Sequence, residues 1–169
     1  MNYFKWLSGF IAVLALLFGV FLFYMRFHDG PIQIFSGGPF KTGQLQTGPE
    51  PNWNEIKDIG TIQIQTITPA RSRITWLAVI DGKIYTPSGY MNSRIGKMWK
   101  QWPVEAERDG RALLRIDGKI YKRQLVRLPT NSGVILPIVD ELNRKYGARG
   151  SVEDVKANGT WLFELAPRG

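Results

Sequence analysis

Two arginines two positions apart, Arg71 and Arg73, are the residues whose type and spacing most directly indicate a binding chemistry. Alternate residues of a β-strand point to the same face, so the two guanidinium groups would lie side by side. They repel each other unless an anion or an acid lies between them, and their planar shape suits a phosphate. The pair therefore indicates phosphate binding. The other interpretation is a solvated edge strand whose charges deter pairing with another chain.

The same part of the chain carries the whole net charge of +8. Residues 71–127 contain 13 Lys and Arg against five Asp and Glu, and the other residues contain nine of each. This balance favours anionic ligands or lipid head groups. Nucleic acid is not expected, because the segment lacks the interleaved exposed aromatics of a single-strand platform. Lys97 and its basic neighbours form either a solvated helix face or a contact to a ligand or lipid.

Catalysis by the side chains alone has few candidates. The chain has no cysteine and a single histidine, His28, which adjoins an apolar segment. This excludes thiol chemistry and argues against a Ser-His-Asp triad or a multi-histidine metal site. No metal site is expected and the catalytic residues stay unassigned. An oxidoreductase remains compatible with the sequence, because a flavin cofactor carries its own chemistry.

A repeated hexapeptide shows which elements must position the arginines. The letters IDGKIY occur at residues 80–85 and again at 116–121. Asp-Gly between β-rich flanks is the strongest short signal for a two-residue hairpin turn. Two such hairpins predict an antiparallel sheet. Alternation of Ile and Gln over residues 61–68 predicts a half-buried strand, and the apolar run at 74–80 predicts a central strand.

Helical spacing of apolar residues occurs twice after the first hairpin. Residues 93–102 form one predicted helix, which Pro103 ends, and residues 135–146 form another, which Gly147 caps. A final strand is predicted at residues 160–165 after an Asn-Gly turn.

An uncharged run at residues 6–25 is long enough, at about 1.5 Å per residue, to cross a bilayer. The alternative is a cleaved signal peptide, but the run is long for one and lacks small residues at its end. A retained single-pass helix is expected, with the N-terminus cytoplasmic and the domain outside. We expect an anchor at 1–27, a Gly/Pro-rich linker at 28–55 and a folded domain at 56–169.

Four stretches of the chain resemble the split β-barrel superfamily. They are TWLAVIDGKIYTPSG at residues 75–89, KQWP at 100–103, the strand at 112–116 and WLFEL at 161–165. The resemblance covers about residues 57–167. It is to pyridoxamine-phosphate-oxidase-like and deazaflavin-dependent nitroreductase-like proteins, and most closely to a membrane-anchored branch of small proteins. It implies an α+β fold in which a transmembrane helix precedes an antiparallel split β-barrel with two or three helices.

The resemblance also implies a cofactor and a position for it. Members of such families bind FMN, a deazaflavin or heme, usually between two protomers, so it implies a flavin-type oxidoreductase and a homodimer. In the flavin binders, basic residues at the start of the second strand hold the phosphate. Arg71 and Arg73 match that position, Ser88 and Gly89 match the facing loop, and Lys97 is a further candidate contact.

One departure from the family pattern concerns the deazaflavin branch. That branch has a Gly-Lys-Ser-Gly run before its arginine, whereas this chain reads Thr68-Pro69-Ala70 before Arg71. FMN is therefore the first candidate cofactor. Two other hypotheses remain: a non-enzymatic module of the same fold that binds a cofactor, heme or a partner, and a basic protein of the membrane surface.

Overall fold

The computed structural model describes residues 2–93, 96 and 100–169. Its helices are α1 (Asn2–Met25), α2 (Trp102–Arg108), α3 (Ile135–Tyr146) and α4 (Val152–Lys156), with a 3-10 turn at Trp53–Ile56. Its strands are β1 (Gln44–Leu45), β2 (Ile62–Thr66), β3 (Arg71–Thr75), β4 (Ala78–Ile80), β5 (Lys83–Ser88), β6 (Arg111–Ile116), β7 (Lys119–Arg127) and β8 (Trp161–Pro167).

The strands form one sheet in the order β3-β2-β6-β7-β8-β5-β4, and every neighbouring pair in this order is antiparallel. The short β1 adds to the start of β7 in parallel. Both predicted hairpins are confirmed. Asp81 and Gly82 have φ of 49° and 72°, and Asp117 and Gly118 have φ of 48° and 72°, as a tight hairpin turn with two left-handed residues requires.

The sheet closes on itself, and chain connectivity shows why it must. In a flat sheet of seven strands the edges β3 and β4 would lie about 29 Å apart. Only Trp76 and Leu77 join these two edges, and three Cα–Cα steps span at most about 11 Å. Hydroxyl groups also meet near the join, where Thr75 Oγ1 and Thr86 Oγ1 are 2.7 Å apart. The sheet is therefore a barrel left open between β3 and β4, and the predicted α+β split β-barrel is confirmed.

Two predicted elements were wrong. Residues 74–80 do not form one central strand, because the chain leaves β3 at Thr75 and begins β4, at the opposite edge, with Ala78. Pro103 does not end a helix. It occupies the first turn of α2, where its missing N–H would have no intrahelical partner in any case. Half of the predicted helix at 93–102, residues 94, 95 and 97–99, lies outside the described residues.

Two groups of buried side chains hold the barrel together. The first fills the space between β2, β6, β7, β8 and α2, and includes Ile64, Leu114 and Phe163. The second lies between the outer helices α3 and α4 and the strands β4, β5 and β8, and includes Ile138 and Leu162. The predicted end of α3 is confirmed, since Gly147 adopts φ of 59° just after its last turn.

The N-terminal helix and the segment after it connect directly to the barrel. Residues Tyr3–Met25 of α1 are apolar enough, with a mean hydropathy of 2.5, to cross a membrane by length and composition. In the following segment, Asp29 pairs with Arg115 at 2.8 Å and Glu50 pairs with Arg123 at 2.9 Å. Trp53 is buried in the first group of side chains. Residues 28–55 are thus fastened to the barrel at both ends.

Candidate functional site

Arg73 is the less accessible of the two arginines on β3. Its guanidinium lies 5.3 Å from the ring centre of Trp102, and its Nε is buried without a hydrogen-bond partner among the described residues. Burial lowers the pKa of Arg73 to about 10, the carboxylate of Glu105 opposes this shift, and the charge of Arg71 adds to it. A buried cation with an unpartnered donor is costly unless an anion approaches it.

Arg71 lies on the same face of β3 and is half-buried. Burial lowers the pKa of Arg71, the nearby charge of Arg26 lowers it further, and Glu105 opposes both. Arg26 directly follows the last residue of α1. The predicted pairing of Arg71 with Arg73 on one face is therefore found at the base of the apolar helix.

Ser88 and Gly89 lie elsewhere, at the end of β5. The Ser88 hydroxyl is buried and donates to the sulfur of Met91 at 3.5 Å. The carbonyl of Gly89 accepts a hydrogen bond from Lys100 Nζ at 3.2 Å. Lys97 lies outside the described residues.

A cavity of about 820 Å³ opens beside Gly89, along the open side of the barrel. One wall is the β3–β4 connection with the end of β5, and the other is formed by α3, α4 and the loop between them. The lining residues include Ile74, Thr75, Trp76, Pro87, Gly89, Tyr90, Asn92, Ser93, Lys100, Val139, Leu142, Asn143, Arg149, Gly150, Asp154, Thr160 and Leu162. This volume lies within the range of about 300 to 1,000 Å³ found for small-molecule sites.

Aromatic rings form one side of the cavity. Trp76 stacks on Tyr146 with ring centres 4.5 Å apart, yet 44% of its surface stays exposed. One face of its indole is thus covered by protein while other surface remains open to a ligand. Tyr90 lies across the opening with Lys100 Nζ 5.4 Å from its ring centre. Such surfaces suit a planar ring.

Two cations give the cavity a positive charge. Lys100 is half-buried, and burial lowers its pKa. Arg149 is exposed on the loop between α3 and α4. Asp154, the acidic residue of this wall, already accepts a hydrogen bond from the Thr160 hydroxyl at 2.5 Å. The cavity therefore suits an anionic ligand with a flat apolar part.

The cavity wall has few groups free to transfer protons. Asn143 exchanges hydrogen bonds with the backbone of Gly150, and Ser151 caps α4 by accepting from the Asp154 N–H. Within the described residues no group of three or more His, Cys, Asp or Glu side chains could hold a metal ion. The described wall can bind and orient a molecule, but most of its polar side chains make structural hydrogen bonds and are not free to transfer protons.

The predicted site residues thus fall in two places. Arg71 and Arg73 lie together near Glu105 and do not line the cavity, which Gly89 does line. Sequence reasoning missed Arg149, because a single arginine in a loop after a helix cap has no pattern that distinguishes it from solvated charge. It also did not identify Trp76 as a site residue, since only the folded chain shows the indole at an opening.

No protein family model and no curated protein sequence matches the chain. The solved structures to which it is similar include the following three. The conserved hypothetical protein Rv2991 from Mycobacterium tuberculosis is 17% identical, with 75% of this chain and 86% of that chain covered and a TM-score of 0.47. A candidate pyridoxamine 5′-phosphate oxidase from Listeria innocua is 11% identical, with 65% and 85% covered and a TM-score of 0.46. The heme storage protein HutZ from Vibrio cholerae is 9% identical, with 71% and 90% covered and a TM-score of 0.46.

Proposed function

We propose that this protein is a membrane-anchored split-barrel protein that binds a flavin-type cofactor, with FMN as the first candidate, and acts as an oxidoreductase. The observation that carries the proposal is the cavity of about 820 Å³, which combines aromatic surface with two cations. An isoalloxazine ring requires a flat apolar surface and the FMN phosphate requires positive charge. Both are present within one opening.

Each part of the cavity would have its own role. Trp76 presents apolar surface to the ring, and its stacking on Tyr146 fixes the orientation of that surface. Lys100 and Arg149 supply charge for the phosphate. A bound flavin supplies electron and hydride transfer, so the chain's contribution is to bind it, orient it and limit access by water.

Heme does not fit this cavity through histidine ligation. His28 is the sole histidine of the chain, and its Nδ1 lies 2.8 Å from the carbonyl of Gly30, just beyond α1. It does not line the cavity. This favours a flavin over heme among the cofactors that the family resemblance implies.

The second candidate function is a binding module of the same fold without catalysis. The observation that favours it is the engagement of Asn143, Ser151 and Asp154 in structural hydrogen bonds, which leaves the described wall poor in proton donors and acceptors. Chain-dependent reduction of bound FMN by NADH or NADPH would support the oxidoreductase. Binding without turnover would support the module.

The membrane part of the proposal rests on α1. Its residues Tyr3–Met25 are long and apolar enough to span a bilayer, and the span is exposed or half-buried up to Tyr24, with Met25 buried at its end. We propose that α1 is retained as a single-pass anchor, with the N-terminus cytoplasmic and the barrel outside. Resistance of the full chain to extraction from membranes by alkali tests the anchor, and release by alkali would contradict it.

Titration of FMN and riboflavin into the full chain in uncharged detergent tests the cofactor assignment. Lys100→Gln with Arg149→Gln should weaken FMN binding at least about tenfold, because charge-assisted hydrogen bonds contribute roughly 1.5 to 3 kcal/mol each. Riboflavin, which lacks the phosphate, should lose little. Lys119→Gln with Lys122→Gln is the matched control, since both lysines are exposed and far from the cavity lining. Equal losses in the two double variants, or no FMN binding by the wild type, would overturn the assignment.

A further inference from the structure

The base of α1 is joined to the edge strand β3 by a close backbone contact. Gly38 N–H donates to the carbonyl of His28 at 3.0 Å, and Ser72 Oγ donates to the carbonyl of Gly38 at 2.6 Å. A Cβ atom on Gly38 would lie 2.3 Å from the carbonyl oxygen of Arg26, so no larger residue fits there. Ser72 lies between Arg71 and Arg73 on β3, so the contact fixes the strand that carries both arginines beside the end of the helix, while their side chains point to the opposite face from that of Ser72.

The turn before this contact lies along the apolar helix. The ring of Phe35 packs against Phe21 at 5.0 Å and against Phe18 at 6.2 Å between centroids. Phe18 is two turns before the end of α1, and Ile34 at the tip of the turn is 80% exposed. An exposed apolar side chain at this position matches the boundary between hydrocarbon and head groups.

Three arginines form a chain of interacting charges near that boundary, with Arg26 acting on Arg71 and Arg71 acting on Arg73. Arg26 is exposed and directly follows α1, Arg71 is half-buried, and Arg73 has a buried Nε without a partner in the described structure. Glu105 is the carboxylate whose charge acts on both Arg71 and Arg73. The cluster therefore keeps a surplus of positive charge.

We infer that Arg26, Arg71 and Arg73 form a binding site for the phosphate of an anionic phospholipid headgroup at the base of α1. This inference rests on the proposed retention of α1 in the membrane. Arginine is suited to the task because its planar fork can donate two hydrogen bonds to one phosphate. Phosphates of the lipid layer lie just outside the hydrocarbon, which is the depth at which Arg26 emerges from the helix.

A lipid phosphate accounts for the cluster better than a soluble one. Two exposed aromatic side chains lie close to Arg26 in sequence, Tyr24 and Phe27, each 58% exposed, and tyrosine is enriched at the membrane interface. A headgroup held there would also neutralise the repulsion between Arg26 and Arg71. A lipid headgroup and a free phosphate would both present phosphate oxygens to the arginines, and the experiment below distinguishes the two.

Thermal unfolding of the full chain in uncharged detergent provides the measurement. Phosphatidylglycerol should raise the unfolding temperature more than phosphatidylcholine does. Arg26→Gln with Arg71→Gln should reduce the apparent affinity for phosphatidylglycerol at least about tenfold, as expected for lost charge-assisted hydrogen bonds. Lys119→Gln with Lys122→Gln removes the same charge from exposed positions and should retain the effect. Arg73→Lys, which keeps the buried charge but not the fork, should weaken the effect without unfolding the chain.

Other outcomes would overturn the inference. The first is equal stabilisation by the two lipids, and the second is a phosphatidylglycerol effect that survives in Arg26→Gln with Arg71→Gln. The third is that millimolar inorganic phosphate without lipid stabilises the chain as much as phosphatidylglycerol does, which would identify the ligand as free phosphate. Loss of FMN affinity in the same double variant would show that the phosphate belongs to the cofactor.

A separate measurement distinguishes failure of the anchor proposal from failure of the headgroup site. If alkali releases the wild-type chain from vesicles of phosphatidylcholine alone, α1 is not a retained anchor. If the chain stays with those vesicles but shows no preference for phosphatidylglycerol, only the headgroup site is wrong.

Discussion

The indole of Trp76 lies parallel to the phenol ring of Tyr146, with ring centres 4.5 Å apart and planes inclined by 5°. The Tyr146 hydroxyl accepts from the N–H of the neighbouring Leu77 at 3.1 Å and donates to the carbonyl of Leu77 at 3.0 Å. Trp76 and Leu77 cross between the two edges of the barrel, where neither residue belongs to a strand. Tyr146 thus supplies the hydrogen bonds that a neighbouring strand would otherwise provide, and at the same time supports a wall of the cavity.

Tyr146→Phe should therefore destabilise the protein while preserving the ring stack. It would leave the buried N–H of Leu77 without a partner, which costs about 1 to 3 kcal/mol of unfolding free energy. Denaturant unfolding followed by tryptophan fluorescence provides the measurement. Tyr90→Phe, at an exposed side chain, serves as the control and should have little effect. Equal stability of the two variants would contradict the proposed role of the hydroxyl.

Asp29 should matter for any shortened form of the protein. It accepts hydrogen bonds from Lys41 N, the Thr42 hydroxyl and Arg115 Nη1. A chain that begins at Gly30 lacks this carboxylate, whereas one that begins at His28 keeps it. We expect the longer chain to unfold at a higher temperature in a thermal melt, and the chain beginning at His28 with Asp29→Asn to resemble the shorter one. Identical melting of all three would show that the contact contributes nothing.

The same carboxylate should make stability depend on pH. Burial raises the pKa of Asp29, but hydrogen bonds from Thr42, Lys41 and Arg115 outweigh it and leave the pKa well below its usual range. Because the folded pKa is below the unfolded value of about 3.9, the stabilisation is present above that pH and is lost as the pH falls below it. The slope of unfolding free energy between about pH 5 and pH 3 should be shallower in Asp29→Asn than in the wild type.

Glu50→Gln should be among the most damaging changes outside the two proposed sites. It removes the partner of Arg123, whose side chain is 1% exposed and lies 4.8 Å from the ring centre of Trp53. Leaving a fully buried charge unpaired costs about 3 kcal/mol or more, and we expect a smaller loss here because the Glu50 side chain is 45% exposed to water. Arg123→Met combined with Glu50→Gln should recover much of the loss, because no buried charge then remains. Denaturant titration measures these differences.

Glu141→Gln is a suitable control for that experiment. Glu141 pairs with Arg144 at 2.7 Å on the surface of α3, where the Arg144 side chain is 58% exposed. A pair whose cation is this exposed contributes little, because water already solvates the guanidinium. If Glu50→Gln destabilised the protein as little as Glu141→Gln does, the Glu50–Arg123 pair would not hold residues 28–55 against the barrel.

Local patterns predicted the parts of the fold that depend on neighbours in sequence. The two Asp-Gly turns and the Gly147 cap follow from the few backbone conformations that those residues favour. The antiparallel sheet followed from the hairpins. These features require no knowledge of distant parts of the chain.

Features that depend on closure of the barrel could not be predicted in this way. The run at 74–80 is continuously apolar, and nothing in its letters shows that Leu77 leaves one edge and reaches the other. The burial of Arg123 could not be predicted, because only the folded segment brings Glu50 and Trp53 over it. The cavity likewise depends on distant parts of the chain, because Arg149 and Lys100, which both line it, are 49 positions apart in sequence.

The fastening of residues 28–55 has a consequence for how two copies of the protein could meet. A domain on a free tether would sample many orientations above the bilayer and could pair in any of them. Because Asp29 and Glu50 bind the segment to the barrel, the barrel of an anchored chain turns and diffuses only together with its helix. Encounters between copies are then confined to two dimensions, and a symmetric pair in one bilayer would have its twofold axis along the membrane normal. Only the lateral surfaces of the barrel could take part in such a pair.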